Sequence, residues 1–188
     1  NIYEGSINNN LNKSITIYYK SDSNIDSNIY IKTKGIIMEI ATMKNGYKPY
    51  GGTEFWNVTY RAYIRTITFG NDLSNLPSSC TKENLCWDVS KDPNQSKKVY
   101  GYLVDSGEKD TSDSTSLYNL YIVSDAPIFA PSNCEGMFSF QTSLGREITN
   151  LISINFNDNF NTSNVTNMYN MFGYCSSLTN LDLNSFNT

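Results

Sequence analysis

The chain has 188 residues, a formal net charge of −4 and a pI near 4.8, so it is long enough for one large or two small domains with a core. The acidic balance and scattered Lys and Arg argue against a nucleic-acid footprint, which needs a basic face. There is no histidine, which removes the usual neutral-pH general base and the commonest metal ligand. Asn, Ser and Thr abound, Tyr is frequent, and no apolar run approaches the ~20 residues that span a bilayer.

Residues 1 to about 55 read as β. Ile15-Thr-Ile-Tyr-Tyr19 is β-branched and aromatic, Tyr30-Ile-Lys-Thr33 alternates, and the polar stretch 21–28 between them is a loop. Ile36–Met43 is a strand or short buried element. Asn45-Gly46 is a turn signal, followed by a loop through Pro49, Gly51 and Gly52.

Beyond that loop one spacing recurs: apolar, two variable residues, apolar, one variable residue, apolar. It appears at Ile64/Ile67/Phe69, Leu117/Leu120/Ile122, Leu151/Ile154/Phe156 and Leu178/Leu181/Leu183. Period-2 pairs such as Leu181 and Leu183 suit a strand whose apolar side chains point inward while the residue between them faces solvent. The last two copies lie 27 residues apart, whereas Phe160-Asn-Thr162 returns as Phe186-Asn-Thr188 after 26, so one residue slips between them. Fixed periods of this length are the mark of stacked repeats. A second phrase, Asn133-Cys-Glu-Gly-Met-Phe138 and Asn170-Met-Phe-Gly-Tyr-Cys175, precedes two of the strands. Met168, Met171, Phe172 and Cys175 recur at helical intervals, which predicts a short helix capped by Ser163 or Asn164. The same alignment puts Cys134 and Cys175 in equivalent places, as small buried thiols.

These residues carry a family likeness. Asn164-Val-Thr-Asn-Met-Tyr-Asn-Met-Phe-Gly-Tyr-Cys-Ser-Ser-Leu-Thr-Asn-Leu-Asp-Leu-Asn-Ser-Phe186 closely resembles the repeat unit of the BspA-like leucine-rich repeat surface proteins. More loosely, Ile64–Phe69, Cys86-Trp-Asp-Val-Ser90, Leu120-Tyr-Ile122 and Ile154-Asn-Phe156 resemble the region that leads into such arrays. Residues 1–55 match nothing we can name. The resemblance implies an exported, cell-surface protein with an adhesive role. With one full repeat and one degenerate copy, it further implies an N-terminal portion of a longer, processed protein.

The expected fold is therefore mainly β with short helices. A β-rich N-terminal domain (1–55), its boundary between residues 50 and 62, leads through a capping region (56–132) into the start of a leucine-rich repeat solenoid (133–188). Solenoids mostly bind. The expected function is a non-enzymatic adhesin or host- and matrix-interaction module without cofactor or metal, located at the cell surface. Its partner would be an extracellular protein or glycan. The ligand face would use the exposed strand positions Ser153, Asn155, Thr179, Asn180 and Asp182. The alternative is a structural subunit of a surface layer or appendage, self-associating through the N-terminal β domain.

Other features have plainer readings. Trp56 and Trp87 are candidate aromatic anchors, but packing over the repeats accounts for them more simply. Cys80 and Cys86 are close enough for a local disulfide, and make a poor zinc site without histidine. Asp105, Glu108, Asp110 and Asp113 lack the order of a calcium loop and read as a solvated turn. Five Asn-x-Ser/Thr sequences, starting at Asn12, Asn57, Asn94, Asn161 and Asn164, match the glycosylation acceptor pattern, as chance allows in so Asn-rich a chain. No nucleophile is paired with a base, and nothing places two carboxylates together.

Overall fold

A computed structural model describes residues 2–8, 14–20, 41–45, 55, 60–139 and 150–186. The expected strand at 30–33, most of the Ile36–Met43 element, Gly46 of the turn, and Trp56 lie outside these. The chain divides into two compact units, Asn1–Met38 and Glu39–Thr188. In the first, β1 (Ile2–Asn8) pairs antiparallel with β2 (Ser14–Lys20), from Ile2 opposite Lys20 to Asn8 opposite Ser14.

The division falls ahead of the boundary expected at 50–62, and burial gives the reason. Ala41, Met43 and Phe55 are fully buried in the core of the second unit. There β3 (Ala41–Thr42) pairs parallel with residues 128–129, and Met43 donates its amide to the Phe129 carbonyl.

The second unit is mainly β. Its described strands continue as β4 (Ile64–Gly70), β5 (Cys86–Asp88), β6 (Tyr100–Lys109), β7 (Ser116–Val123), β8 (Ile128–Phe129), β9 (Ser153–Asn155), β10 (Phe160–Asn161) and β11 (Asn180–Leu181). The described helical segments are two single 3-10 turns, Arg61–Tyr63 and Lys82–Asn84. One six-stranded sheet has the order β11-β9-β4-β7-β6-β5, and a three-stranded sheet the order β10-β8-β3.

The four recurrent phrases lie side by side in the larger sheet as parallel neighbours. Leu181 pairs with Ile154, Ile154 with Ile67, and Ile67 with Leu120, so equivalent positions share one row. The spatial order differs from chain order, because β4 sits between β9 and β7. The inward residues of the first three form the core: Ile64, Ile67, Phe69, Leu117, Leu120, Ile122, Leu151, Ile154 and Phe156 are all buried. A column of rings fills its centre, with Phe69 centred 5.2 Å from Phe156 and 4.8 Å from Phe160.

The corner after β9 locates the one-residue slip. Phe156-Asn-Asp-Asn-Phe160 turns through Asn157 (φ 47°) and Asp158 (φ 53°), left-handed conformations that Asn and Asp tolerate. Asn157 Nδ2 donates to the Phe69 carbonyl (2.9 Å) and Asn159 Nδ2 to Gly70 (2.6 Å), satisfying the end of β4. The next corner, Leu183-Asn-Ser-Phe186, reaches its phenylalanine one residue sooner.

The helix expected around residues 163–175 is absent. Instead Cys134, Gly136 and Phe138 donate their amides to the carbonyls of Asn167, Tyr169 and Met171 (2.8–2.9 Å). Carbonyls used at every second residue against a neighbouring segment are not available for i→i−4 bonds, and positive φ at Asn170 (53°) and Tyr174 (59°) breaks any helix. The apolar residues nevertheless point inward: Met171 is buried, while Met168, Phe172 and Cys175 pack against the core. Asn133 bridges to Asn167 and Phe138 stacks on Phe172 at 5.5 Å. This register aligns Cys134 with Met168, so Cys134 and Cys175 are not equivalent.

Candidate functional site

The outward side of the large sheet follows from its register. Side chains alternate along a strand, so the residues between the buried ones are presented together. One cross-strand row runs Val104, Asn119, Thr66, Ser153, Asn180. The next runs Cys86, Tyr102, Tyr121, Thr68, Asn155. Neighbouring strands sit about 4.8 Å apart, so hydroxyl and amide groups recur at short, regular intervals.

Three of the five residues expected on a ligand face therefore come together. Ser153 and Asn180 are direct partners, and Asn155 lies in the adjacent row. Asn155 and Asn180 are exposed and Ser153 is half-buried. Asp182, two residues beyond Asn180, is exposed and accepts from the Asn184 amide (2.9 Å), which rigidifies the turn after β11. Thr179 has a different role: its amide and hydroxyl both donate to the Ile152 carbonyl (3.0 and 3.2 Å), tying one strand to the next.

The same face includes Thr66, Thr68, Asn119 and Tyr121, which sequence reasoning passed over. Thr66 donates from Oγ1 to Asn119 Oδ1 at 2.7 Å, holding both side chains in place. The signal was available, since Thr66 and Thr68 flank Ile67 as Ser153 and Asn155 flank Ile154.

At one end the face is bounded by a stapled loop. Cys80 and Cys86 form a disulfide with Cα atoms 4.8 Å apart. Cys86 is buried with Tyr102 and Val123 beneath Leu73, Leu76 and Cys80. Tyr102 stacks on Tyr121 at 5.1 Å. Burial first, then the neighbouring Tyr121 and Asp72, raise the Tyr102 hydroxyl above its ordinary pKa.

Trp87 is half-buried on the inward side of edge strand β5. Its Nε1 donates to the Phe55 carbonyl (2.7 Å), and its ring packs against the core. Gly101 opposite has room for little else, as a Cβ there would lie 3.0 Å from the indole.

The acidic loop is occupied by local bonds. Arg65 pairs with Glu108 (3.0 Å), Tyr63 donates to Asp113 (2.9 Å) and Asn150 to Asp110 (2.6 Å). Hydrogen bonds from the Ser112 hydroxyl and from Asn150 hold the Asp110 carboxyl below its usual range. Among the described residues no three His, Cys, Asp or Glu side chains group as metal ligands would, and no helix is long and apolar enough to cross a membrane. Burial pushes the free thiols up, Cys134 to about 12 and Cys175 to about 11, which suppresses the nucleophilic thiolate near neutral pH.

No family model, curated protein or solved structure matches the chain.

Proposed function

We propose that the chain is a non-enzymatic, extracellular binding module whose ligand lies across the outward face of the large sheet. The observation that carries this reading is the in-register alignment of Thr66, Ser153 and Asn180 beside Thr68 and Asn155 on parallel strands. A stiff sheet presenting hydroxyls and amides loses little entropy on binding, and those groups donate and accept in several directions. This suits glycan or polar protein surfaces, as an adhesin requires.

The finer fold reading belongs with it. Parallel strands related by 27 residues, with matched apolar rows and the 160–186 phrase, support a leucine-rich repeat solenoid of the BspA-like kind. The Cys80–Cys86 disulfide supports an oxidising, extracellular setting.

The test is retention of the purified chain on immobilised glycans and extracellular-matrix proteins, beside the double variant Thr66→Lys/Ser153→Lys. Retention by the parent that falls at least tenfold in a variant with unchanged melting supports the proposal. A parent that binds nothing, or a variant that binds equally well, contradicts it.

A further inference from the structure

The stapled loop lies on the outward side of the large sheet and ends its polar face in a pair of rings. Leu73, Leu76 and Cys80 pack over Cys86, Tyr102 and Val123. Tyr102 is thereby only 5% exposed, although it stands in the outward row beside Tyr121, Thr68 and Asn155. Its ring lies nearly parallel to that of Tyr121, at 14° and 5.1 Å. One face of the half-buried Tyr121 is covered in this way, and the other turns across β4 toward Thr68. The Thr68 hydroxyl and Asn155 Nδ2 have no partner among the described residues, while the Asn157 amide donates to Asn155 Oδ1 (3.1 Å) and orients the carboxamide.

We propose that this corner is a subsite for a neutral glycan, with one pyranose ring lying on the open face of Tyr121 and bonding to Thr68, and the next ring bonding to Asn155. A sugar ring has an apolar C–H face and a rim of hydroxyls, so it matches an aromatic face set beside a hydroxyl and an amide. Tyr121 and Asn155 stand two strand spacings apart, roughly 10 Å, too far for one ring to reach both. Charge sets the class: Thr66, Thr68, Asn119, Tyr121, Ser153 and Asn155 are all uncharged, and ions at the margins are engaged. Arg65 pairs with Glu108 (3.0 Å), and Asp72 accepts from the Ser74 amide and hydroxyl (2.8 and 2.9 Å). An ionic glycan would meet no counter-charge on this floor. Tyr102 and the disulfide-tied loop hold the platform in place before a ligand arrives. The inference rests on the outward-face reading above and names its ligand class.

The test measures binding of the 188-residue chain to immobilised hexasaccharides of neutral glucan, mannan, galactan and chitin, beside hyaluronan and heparin. A neutral hexasaccharide should bind equally well at low and high salt. Tyr121→Ala should weaken that binding about tenfold and Thr68→Val about threefold, while Tyr121→Phe, which keeps the ring, should stay within about twofold. Thr68→Val, which keeps the side-chain volume, decides the matter if Tyr121→Ala fails to fold. Neutral-glycan binding that these variants leave unchanged overturns the subsite. So does binding confined to hyaluronan or heparin, or a chain retained on matrix proteins but on none of these glycans. Where Thr66→Lys/Ser153→Lys then abolishes the binding that is seen, the outward-face reading survives; where it changes nothing, both fail.

Discussion

The two ends of the large sheet are held very differently. At the β5–β6–β7 end, long antiparallel strands, a disulfide and a tucked indole close the core. At the β11 end, a two-residue strand carries the apolar spacing that β7 also has, yet Leu183 remains 40% exposed. The phrase specifies which side chains point inward, but a neighbour decides whether they are buried. Stability should therefore be concentrated at the closed end, and opening should begin at the other.

The sharpest way to break this contrast is a truncation at each end. Phe69→Ala removes a ring that is fully buried against Phe138, Phe156 and Phe160, and should cost about 3–5 kcal/mol in denaturant unfolding. Leu183→Ala, in a half-open site, should cost under about 1 kcal/mol. Similar costs at both sites would show that the ends are not distinct.

Next in size is the staple. Opening the Cys80–Cys86 bond frees a short loop, and the chain-entropy estimate for so short a closure is about 2 kcal/mol. Cys80→Ser/Cys86→Ser should lower the midpoint accordingly, with amide protection lost first at Tyr102 and Val123. A loss centred on β11 would contradict the assignment of the staple to the closed end. Gly101→Ala should cost about 1 kcal/mol, because the new Cβ presses on Trp87, and should shift indole fluorescence.

Titration supplies the remaining effects. Asp72, Asp88, Asp110 and Asp113 have folded pKa values below their unfolded ones. Burial alone would raise Asp88, but hydrogen bonds from Ser90 and the Lys98 ammonium outweigh it. A depressed carboxyl pKa stabilises the fold above the unfolded value, and that contribution is lost as pH falls below about 4. The thiols act in the opposite range. With Cys134 raised to about 12 and Cys175 to about 11 from an ordinary value of 9.0, the neutral thiol favours the fold. Their contribution holds below pH 9 and is lost as pH climbs toward those values. A chain equally stable at pH 3.5 and 7 would contradict the carboxylate part, and rapid alkylation of Cys134 in the native protein at pH 8 the thiol part.

Much of this was legible in the chain. The spacing Ile64/Ile67/Phe69 and its three repetitions marked the parallel strands, since period-2 burial is a local property. The neighbours of Ile154 and Leu181 then placed Ser153, Asn155 and Asn180 outward. The expected ligand face covers only the last two copies of the spacing and so leaves out Thr66, Thr68 and Asn119, which flank the earlier ones. The helix expected near Met168–Cys175 failed for another reason: intervals of three and four also fit a chain of tight turns. What selects the turns is bonding to residues 134–138, some 33 positions away, together with left-handed Asn170 and Tyr174. The order of strands was also hidden, because pairing β9 with β4 rather than β7 is a long-range choice.

The account rests on register, and cross-linking reads register directly. In a Cys80→Ser/Cys86→Ser/Cys134→Ala/Cys175→Ala background, Ser153→Cys should form a disulfide readily with Asn180→Cys, its direct partner. It should do so poorly with Asp182→Cys, two residues further along. Preferential linkage of 153 to 180 is the predicted result. Equal or preferred linkage to 182 would mean that the strands are not stacked in this register, and the outward polar face would go with it.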